Sequence, residues 1–167
     1  AGLLSIPGHW DPDVRDALTE LHVAWGKLFV VHRLDKDTSG VLIFAKNAEA
    51  HQAMSEAFES RSVTKVYRAL VRGAPTWDEE RCDLALSPDG DRLHRTIVGA
   101  RGGKASSTTF VVIARYKDCA LIEARPETGR THQVRVHLAA LGFPCLCDPL
   151  YGDGKPRYSV LSVNLDP

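Results

Sequence analysis

The sequence predicts an α+β fold with a largely antiparallel sheet, and three observations lead to that prediction. Short apolar, β-branched runs recur along the chain, as at residues 28–31 and 41–45. Two segments with helical spacing, residues 47–61 and 131–141, lie far apart instead of alternating with strands. The dipeptide Lys117-Asp118 separates two strand-like runs, as a hairpin turn does. Strands in series with segregated helices are typical of α+β domains and not of doubly wound ones.

Length and composition are those of one folded domain. The chain has 167 residues, of which 44% are apolar, so it can bury a core. Lys and Arg number 21, as do Asp and Glu, and the formal net charge of zero excludes a uniformly basic surface. Residues 1–60 carry 5 basic and 9 acidic side chains, whereas residues 61–137 carry 14 basic and 9 acidic. We therefore expect an anionic partner to contact the middle of the chain.

The first predicted elements are two short strands joined by a polar loop. The strands cover residues 28–31 and 41–45, and the loop between them, residues 32–40, is rich in Asp, Thr, Ser and Gly. Apolar side chains then follow at helical spacing from Ala50 to Phe58. This spacing predicts an amphipathic helix over residues 47–61, with Asn47 as its N-cap.

Strands dominate the middle of the chain. Tyr67, Ala69 and Val71 alternate with residues of the opposite face, which predicts a strand over residues 63–71. Further strands are predicted at residues 83–86, 93–98, 107–116 and 120–124. The helix over residues 131–141 precedes Gly142 at its expected C′ position and Pro144 just beyond. Residues 160–165 predict a last strand.

Several function classes lose support because their motifs are missing. No apolar run approaches the roughly 18 residues of a membrane span, so we expect a soluble, cytoplasmic protein. The sequence has no Walker-type loop, dinucleotide fingerprint or Gly-x-Ser-x-Gly elbow, which disfavours nucleotide hydrolysis, hydride transfer and serine hydrolysis. The cysteines at positions 82, 119, 145 and 147 are expected to be small buried hydrophobic residues in a reducing compartment.

The loop over residues 32–40 concentrates chemical groups. It reads HRLDKDTSG and places five ionisable side chains and two hydroxyl groups beside strands. Loops held by a rigid scaffold are where proteins place reactive groups. On composition alone, a simple turn in which Asp35 or Asp37 caps backbone amides is the more common explanation.

A second such segment, residues 127–137, reads ETGRTHQVRVH and begins a helix. Helix N-termini attract anions, so a phosphate or carboxylate fits there, although a solvated basic helix face is the commoner outcome. His132 and His137 are five residues apart and lack the glutamate of the zinc motif, so we expect no metal. Tyr67 lies between Lys65 and Arg68, a pattern that single-stranded RNA binding uses and that half-buried core tyrosines also show.

Three segments in this order, HRLDKDTSG, KVYRALVRG and RPETGRTHQVRVHLAALG, closely resemble the motifs of RluA-type pseudouridine synthases. That family isomerises uridine to pseudouridine in ribosomal or transfer RNA. The resemblance runs from AGLLSIPG at the start to DPLYG near residue 152, which is most of the chain. It implies a mixed, mainly antiparallel central sheet flanked by helices and loops, an rRNA or tRNA loop containing the target uridine as the partner, and neither cofactor nor metal.

The resemblance also implies roles for individual residues. Asp35 is expected to be the nucleophile, Tyr67 to stack on the target base, and Arg135 to pair with Asp35, which favours the ionised carboxylate. Arg33 is expected to help hold the base flipped out of its helix, and Val134 to contact the ring. The remaining expected substrate-binding residues are His32, Thr38, Arg130 and His132.

The chain departs from the family pattern at both ends. Family members usually begin with a strand that carries a Lys-Pro pair, and they continue past DPLYG with a helix and a strand that close the sheet. We therefore expect residues 1–167 to form a single catalytic domain that lacks that first strand and the closing elements, with no RNA-binding domain of the S4 type. Such an open sheet edge can be covered by another chain.

Two other functions remain open at the level of sequence. A catalytically silent RNA-binding module would keep the cleft without turnover. A uracil-excising RNA glycosidase would cleave the same glycosidic bond and release the base. The three possibilities differ in their products, since only isomerisation leaves the RNA mass unchanged.

Overall fold

The structure is a computed structural model that describes residues 2–8, 14–99 and 102–154. The strand predicted at residues 160–165 lies outside these ranges. The chain divides into two compact units, Ala1–Val63 and Thr64–Pro167. The single catalytic domain therefore stays a prediction. No helix within the described ranges is long and apolar enough to cross a membrane.

The first unit contains two helices and one pair of short strands: α1 (Ala17–Trp25), β1 (Phe29–Val30), β2 (Phe44–Ala45) and α2 (Ala48–Glu59). Strands β1 and β2 pair antiparallel, and the polar loop connects them as predicted. Asn47 caps α2 as predicted, because its side-chain oxygen accepts the Ala50 N–H at 2.8 Å. The imidazole of His51 fixes α2 to β1 through a 3.0 Å contact between Nε2 and the carbonyl oxygen of Val30.

Helix α1 was not among the sequence predictions. Asp16 caps it by accepting the Thr19 N–H at 2.8 Å. None of its residues is buried, and Val23 is 90% exposed. Without an apolar stripe facing a core, the helical periodicity that sequence analysis relies on is weak.

The second unit is built on an antiparallel sheet of four strands in the order β3-β8-β7-β4. Its strands are β3 (Tyr67–Arg72), β4 (Glu79–Cys82), β7 (Thr108–Arg115) and β8 (Cys119–Pro126), with a separate pair β5 (Leu86–Ser87) and β6 (Ile97–Val98) and helix α3 (Gln133–Ala140). This arrangement confirms the predicted α+β class with mainly antiparallel pairing. The hairpin β7–β8 turns at residues 116–118, where the turn was predicted.

Several predicted strands are displaced or shortened. Those predicted at residues 28–31, 41–45 and 63–71 are reduced to Phe29–Val30, Phe44–Ala45 and Tyr67–Arg72. The strand predicted at residues 83–86 is wrong, since β4 ends at Cys82 and β5 begins only at Leu86. The strand predicted at residues 93–98 is reduced to Ile97–Val98. Strand β4 carries three charged residues in the sequence Glu-Glu-Arg-Cys and pairs only with β7, so it occupies an edge where charged side chains remain in water.

The core of this unit lies between the sheet and α3. Val71, Phe110, Ile122 and Leu138 are fully buried and belong to one apolar cluster. Helix α3 ends where Gly142 adopts a φ of 89°, and the Phe143 N–H donates to the Leu138 carbonyl at 2.9 Å. These contacts form a Schellman-type helix end, which glycine favours because it has no Cβ.

The cysteines follow the prediction only in part. Cys82 and Cys119 are buried and Cys145 is partly buried, but Cys147 is exposed, so the prediction of a buried side chain is wrong there. Cys147 has a φ of 60° in the turn that follows α3, where its side chain is directed to solvent. Within residues 2–8, 14–99 and 102–154, no three His, Cys, Asp or Glu side chains form a group that could hold a metal ion.

Candidate active site

The polar loop of the first unit carries Asp35, the predicted nucleophile. The Thr38 N–H donates to the Asp35 carbonyl oxygen at 2.9 Å and closes a turn directly after the aspartate. Asp35 and Thr38 are half-buried, whereas Arg33 is exposed. The loop therefore holds its carboxylate on an ordered backbone instead of a free tip.

His32 fastens the start of this loop. Its Nε2 accepts the backbone N–H of Ile43 at 3.1 Å, and its ring stacks on Phe58 of α2 with centroids 5.0 Å apart. Because Nε2 accepts a hydrogen bond, it carries no proton in this arrangement. The structure thus assigns His32 a role in holding the loop, and its contact with substrate stays a prediction.

Tyr67 begins β3 in the second unit. It pairs with Ala124 of β8, and its half-buried side chain shares a face with Ala69 and Val71, as the alternation predicted. Two residues earlier, the Lys65 ammonium donates to the Thr128 carbonyl oxygen at 3.0 Å. This contact ties the start of β3 to the loop that leads into α3.

Gln133 organises that loop, and sequence analysis did not single it out. Its side-chain oxygen accepts the Thr128 hydroxyl at 2.6 Å and the Arg130 N–H at 3.0 Å, while its amide nitrogen donates to the Ser107 carbonyl at 2.9 Å. Gln133 is 4% exposed, so these bonds are made away from water. They fix the backbone of Arg130, whose guanidinium donates to the Ala105 carbonyl at 3.3 Å.

Arg135 projects from α3 into a paired ion contact with Asp148. Its Nε and Nη2 donate to the two carboxylate oxygens at 2.7 and 2.8 Å, a bidentate geometry. The side chains are 15% and 3% exposed. Burial alone would raise the pKa of Asp148, but the Arg135 hydrogen bonds and the N–H groups of Leu150 and Tyr151 outweigh it and lower that pKa.

Tyr151 completes the support of Arg135. The guanidinium carbon lies 5.2 Å from the centre of the tyrosine ring, within cation–π range. The Tyr151 oxygen accepts the Thr96 N–H at 3.0 Å and forms a hydrogen bond with Nδ1 of His132 at 2.8 Å, in which the His132 tautomer sets the donor. Burial raises the pKa of this phenol, which keeps the proton in place. The second unit thus brings together Arg135, His132 and two residues that sequence analysis missed, Asp148 and Tyr151.

The other face of α3 serves the core. Val134 packs against the buried apolar cluster and is itself half-buried. His137 is fully buried: its Nε2 lies 3.1 Å from the Leu84 carbonyl oxygen, and its Nδ1 lies 3.0 Å from the Thr108 hydroxyl. Burial lowers the pKa of His137, so the neutral imidazole is the stable form.

Comparison with known proteins identifies the class. The profile of the RNA pseudouridylate synthase family matches residues 11–140, and the chain belongs to that family. The matched range contains the segments HRLDKDTSG and KVYRALVRG and all but the last two residues of RPETGRTHQVRVHLAALG.

Individual relatives agree with this assignment. Ribosomal large subunit pseudouridine synthase D of Zymomonas mobilis is 38% identical over 177 residues, covering 99% of this chain and 55% of that protein. An uncharacterised RNA pseudouridine synthase of Bacillus subtilis, YlyB, is 43% identical over 127 residues, covering 75% of this chain and 41% of that protein. The chain therefore spans about half the length of these relatives.

A solved structure gives the same result for the fold. Human RNA Pseudouridylate Synthase Domain Containing 1 superposes with a TM-score of 0.76 and 29% identity, covering 93% of this chain and 73% of that one. The RluA-type assignment is further supported by the dual-specificity RNA pseudouridine synthase RluA of Vibrio vulnificus, 38% identical over 160 residues, covering 92% of this chain and 64% of that protein.

Proposed function

We propose that this chain converts uridine to pseudouridine in RNA. The observation that carries the proposal is the family match over residues 11–140, which includes Asp35, Tyr67 and Arg135 in the motif order of the family. The relatives' names state activity on RNA, and two of them are synthases of ribosomal or dual specificity. We extend the activity to this chain and take a uridine in an rRNA or tRNA loop as its substrate.

Asp35 is the nucleophile in this proposal. The reaction breaks the bond between ribose C1′ and uracil N1, rotates the base, and joins C1′ to C5, after which C5 loses its proton and N1 gains one. Three routes use the same carboxylate: attack on C1′, addition to C6, or removal of the C2′ proton to form a glycal. The ordered turn at Thr38 and the fastening of the loop by His32 support a fixed position for that carboxylate.

Tyr67 and Val134 contact the target base in the proposal. Stacking of a base on an aromatic ring contributes on the order of 1–3 kcal/mol. The pairing of Tyr67 with Ala124 sets its side chain on the same face as Ala69. The phenol hydroxyl is proposed to shuttle a proton as well. Both residues rest on elements packed on the core, which favours a rigid slot.

Arg135 is the proposed charge partner of Asp35. A guanidinium carries five N–H donors in a planar fork, and Nε and Nη2 of Arg135 donate to Asp148. The proposed pairing would keep the nucleophile ionised. Asp148 and Tyr151 restrict the rotamer of Arg135, which lowers the entropic cost of the pairing.

The base must leave its helix before it can react, which costs a few kcal/mol and least in loops. Arg33 is exposed and is proposed to help hold the base in its flipped-out position. Arg130 and His132 stand at the start of α3, where the basic segment favours phosphate contacts. If so, RNA affinity falls with salt by a slope of roughly 0.7 per phosphate contact on single strands.

The deciding experiment measures release of tritium from an RNA transcript labelled at uracil C5. We expect release with the intact chain and none with Asp35→Asn. Asp37→Asn is the matched control, because the same substitution lies two residues away at an exposed position of the same loop. RNA binding without tritium release in the intact chain would overturn the proposal in favour of a silent binding module, and free uracil with an abasic product would favour a glycosidase.

A further inference from the structure

The second to fifth residues of the chain lie alongside the loop that carries Asp35, within the first unit. The Ser5 hydroxyl donates to the Leu34 carbonyl oxygen and accepts the Leu34 N–H, both at 2.9 Å. Ser5 is 7% exposed and Leu34 is half-buried, so water competes little for these bonds. One side-chain oxygen thereby satisfies both backbone groups of the residue directly before Asp35.

The residue after Asp35 is held from the same segment. The Gly2 N–H donates to the Lys36 carbonyl oxygen at 2.6 Å. The Thr38 N–H also donates to the carbonyl oxygen of Asp35 itself. The backbone is therefore held by hydrogen bonds before the aspartate, at the aspartate and after it. The position of its Cα is therefore set by contacts outside the loop as well as within it.

Ser5 is itself anchored on the start of α1. The Ala17 N–H donates to the Leu4 carbonyl oxygen at 2.8 Å, and Leu4 forms a parallel bridge with Asp16. Asp16 is 4% exposed and caps α1. A rigid chain of contacts thus runs from the helix N-terminus through Leu4 and Ser5 to Leu34.

We propose that Ser5 is a positioning residue that fixes the direction of the Asp35 carboxylate through the backbone of Leu34. The proposal rests on the proposed function, since it takes Asp35 as the nucleophile. Few side chains can serve here: a hydroxyl supplies a donor and an acceptor from one atom, alanine supplies neither, and a thiol is a weak donor and acceptor. Threonine retains the hydroxyl and is the conservative replacement.

Removal of the hydroxyl leaves the N–H and the carbonyl of half-buried Leu34 without this partner. The loop then relaxes, and a displacement of the reacting group by about 1 Å costs roughly 100-fold in rate. Because Ser5 does not bind RNA in this proposal, the loss appears in kcat and not in KM. A general loss of folding would instead reduce the active fraction, which the amount of native protein reveals.

The kinetic test compares Ser5→Ala, Ser5→Thr and the control Ser62→Ala in the tritium-release assay. The exposed Ser62 hydroxyl donates to the Ala57 carbonyl at 3.0 Å and accepts from the Ser60 hydroxyl at 3.4 Å, in the same unit and away from the loop. We expect kcat to fall roughly 10- to 100-fold in Ser5→Ala with KM within about twofold, recovery in Ser5→Thr, and no change in Ser62→Ala. A Ser5→Ala variant with unchanged kcat, or with a KM change alone, overturns the proposal.

Amide hydrogen exchange by NMR provides a readout independent of turnover. In Ser5→Ala the Leu34 amide is expected to exchange at least about tenfold faster, while the Ala50 amide, bonded to Asn47 in the same unit, keeps its rate. If the Leu34 amide exchanges at an unchanged rate in Ser5→Ala, the positioning role is refuted. This result holds whether or not the Ser5→Thr variant folds. If the Leu34 amide responds but the intact chain releases no tritium, the proposed function fails and the contact stands.

Discussion

The pairing of Arg135 with Asp148 makes the most quantitative prediction, and the substitution Asp148→Asn tests it. Asn has the same shape as Asp but no charge, and it presents an N–H₂ group to a guanidinium that itself only donates. The two side chains are 15% and 3% exposed, so water can replace little of the lost contact. Breaking a buried pair on one side costs about 3–5 kcal/mol.

A loss of this size is large against the total stability of a domain, about 5–15 kcal/mol. For a chain of this length each kcal/mol shifts Tm by about 2–4 °C, so Asp148→Asn is expected to lower Tm by about 6–20 °C. The assay is thermal unfolding followed by circular dichroism at neutral pH.

The matched control is Asp78→Asn. Asp78 contacts Arg115 at 2.7 Å, but its side chain is 90% exposed, and such pairs contribute about 0–1 kcal/mol. Its Tm is therefore expected to fall by no more than about 4 °C. Equal shifts in the two variants would refute the reasoning that burial decides the strength of the Arg135 contact.

The lowered pKa of Asp148 adds an expectation about pH. The contribution of Asp148 to the free energy of unfolding is complete above about pH 4 and is lost as pH falls through the lower folded-state pKa. The substitution Asp148→Asn removes this pH dependence.

Three further predictions follow from single contacts. The lowered pKa of buried His137 means that its contribution to the free energy of unfolding is complete above about pH 6.5 and decreases as pH falls below that value. Urea unfolding measured against pH is expected to show this slope, and His137→Gln is expected to remove it. Iodoacetamide is expected to modify exposed Cys147 well before Cys145, whose pKa burial raises to about 11; equal labelling by peptide mass spectrometry contradicts this. A Cβ on Gly152 would lie 2.9 and 3.0 Å from two backbone carbonyl oxygens, so Gly152→Ala lowers stability by roughly 1–3 kcal/mol in urea unfolding, while Gly129→Ala, with its nearest contact at 4.0 Å, does not.

Elements with strong local signals were predictable. Helix α2 shows a clear apolar stripe and an Asn47 cap, and the β7–β8 hairpin combines long β-branched runs with a turn dipeptide. Gly142 correctly predicted the end of α3, because the positive φ at a helix C-terminus favours glycine. These features depend on neighbours in sequence, which is why sequence analysis located them.

The missed elements depend on tertiary context. Helix α1 buries no residue, so it lacks the stripe, although Asp16 three residues before Thr19 offered a cap signal. Strand β4 is charged because it is an edge, and its pairing with β7 decides its position. The predictions therefore failed where distant strands, and not local spacing, define the element.

In the candidate site, too, some residues were predictable from the sequence and others depend on tertiary contacts. The motif residues were found because their pattern resembles a family, and the family assignment is now shown. Asp148 stands 13 residues after Arg135 with no local periodicity, and Ser5 is 29 residues from Leu34, so neither contact has a signal in a single sequence. For Tyr151, the segment DPLYG was noticed, but nothing in it indicated a ring beneath a guanidinium.

The stretch that follows α3 couples the local opening of strand β3 to the release of Arg135. Residues 143–148 are held by several contacts. Phe143 bonds to the helix end, and Asp148 pairs with Arg135. Two bonds reach β3: the Pro144 carbonyl accepts the Arg72 N–H, and the Leu146 N–H donates to the Leu70 carbonyl, both at 2.9 Å. Lifting this stretch away therefore strips the outer side of β3 and releases the arginine in a single event. The two losses share one opening equilibrium, so ligands that hold the arginine would also slow exchange along that strand.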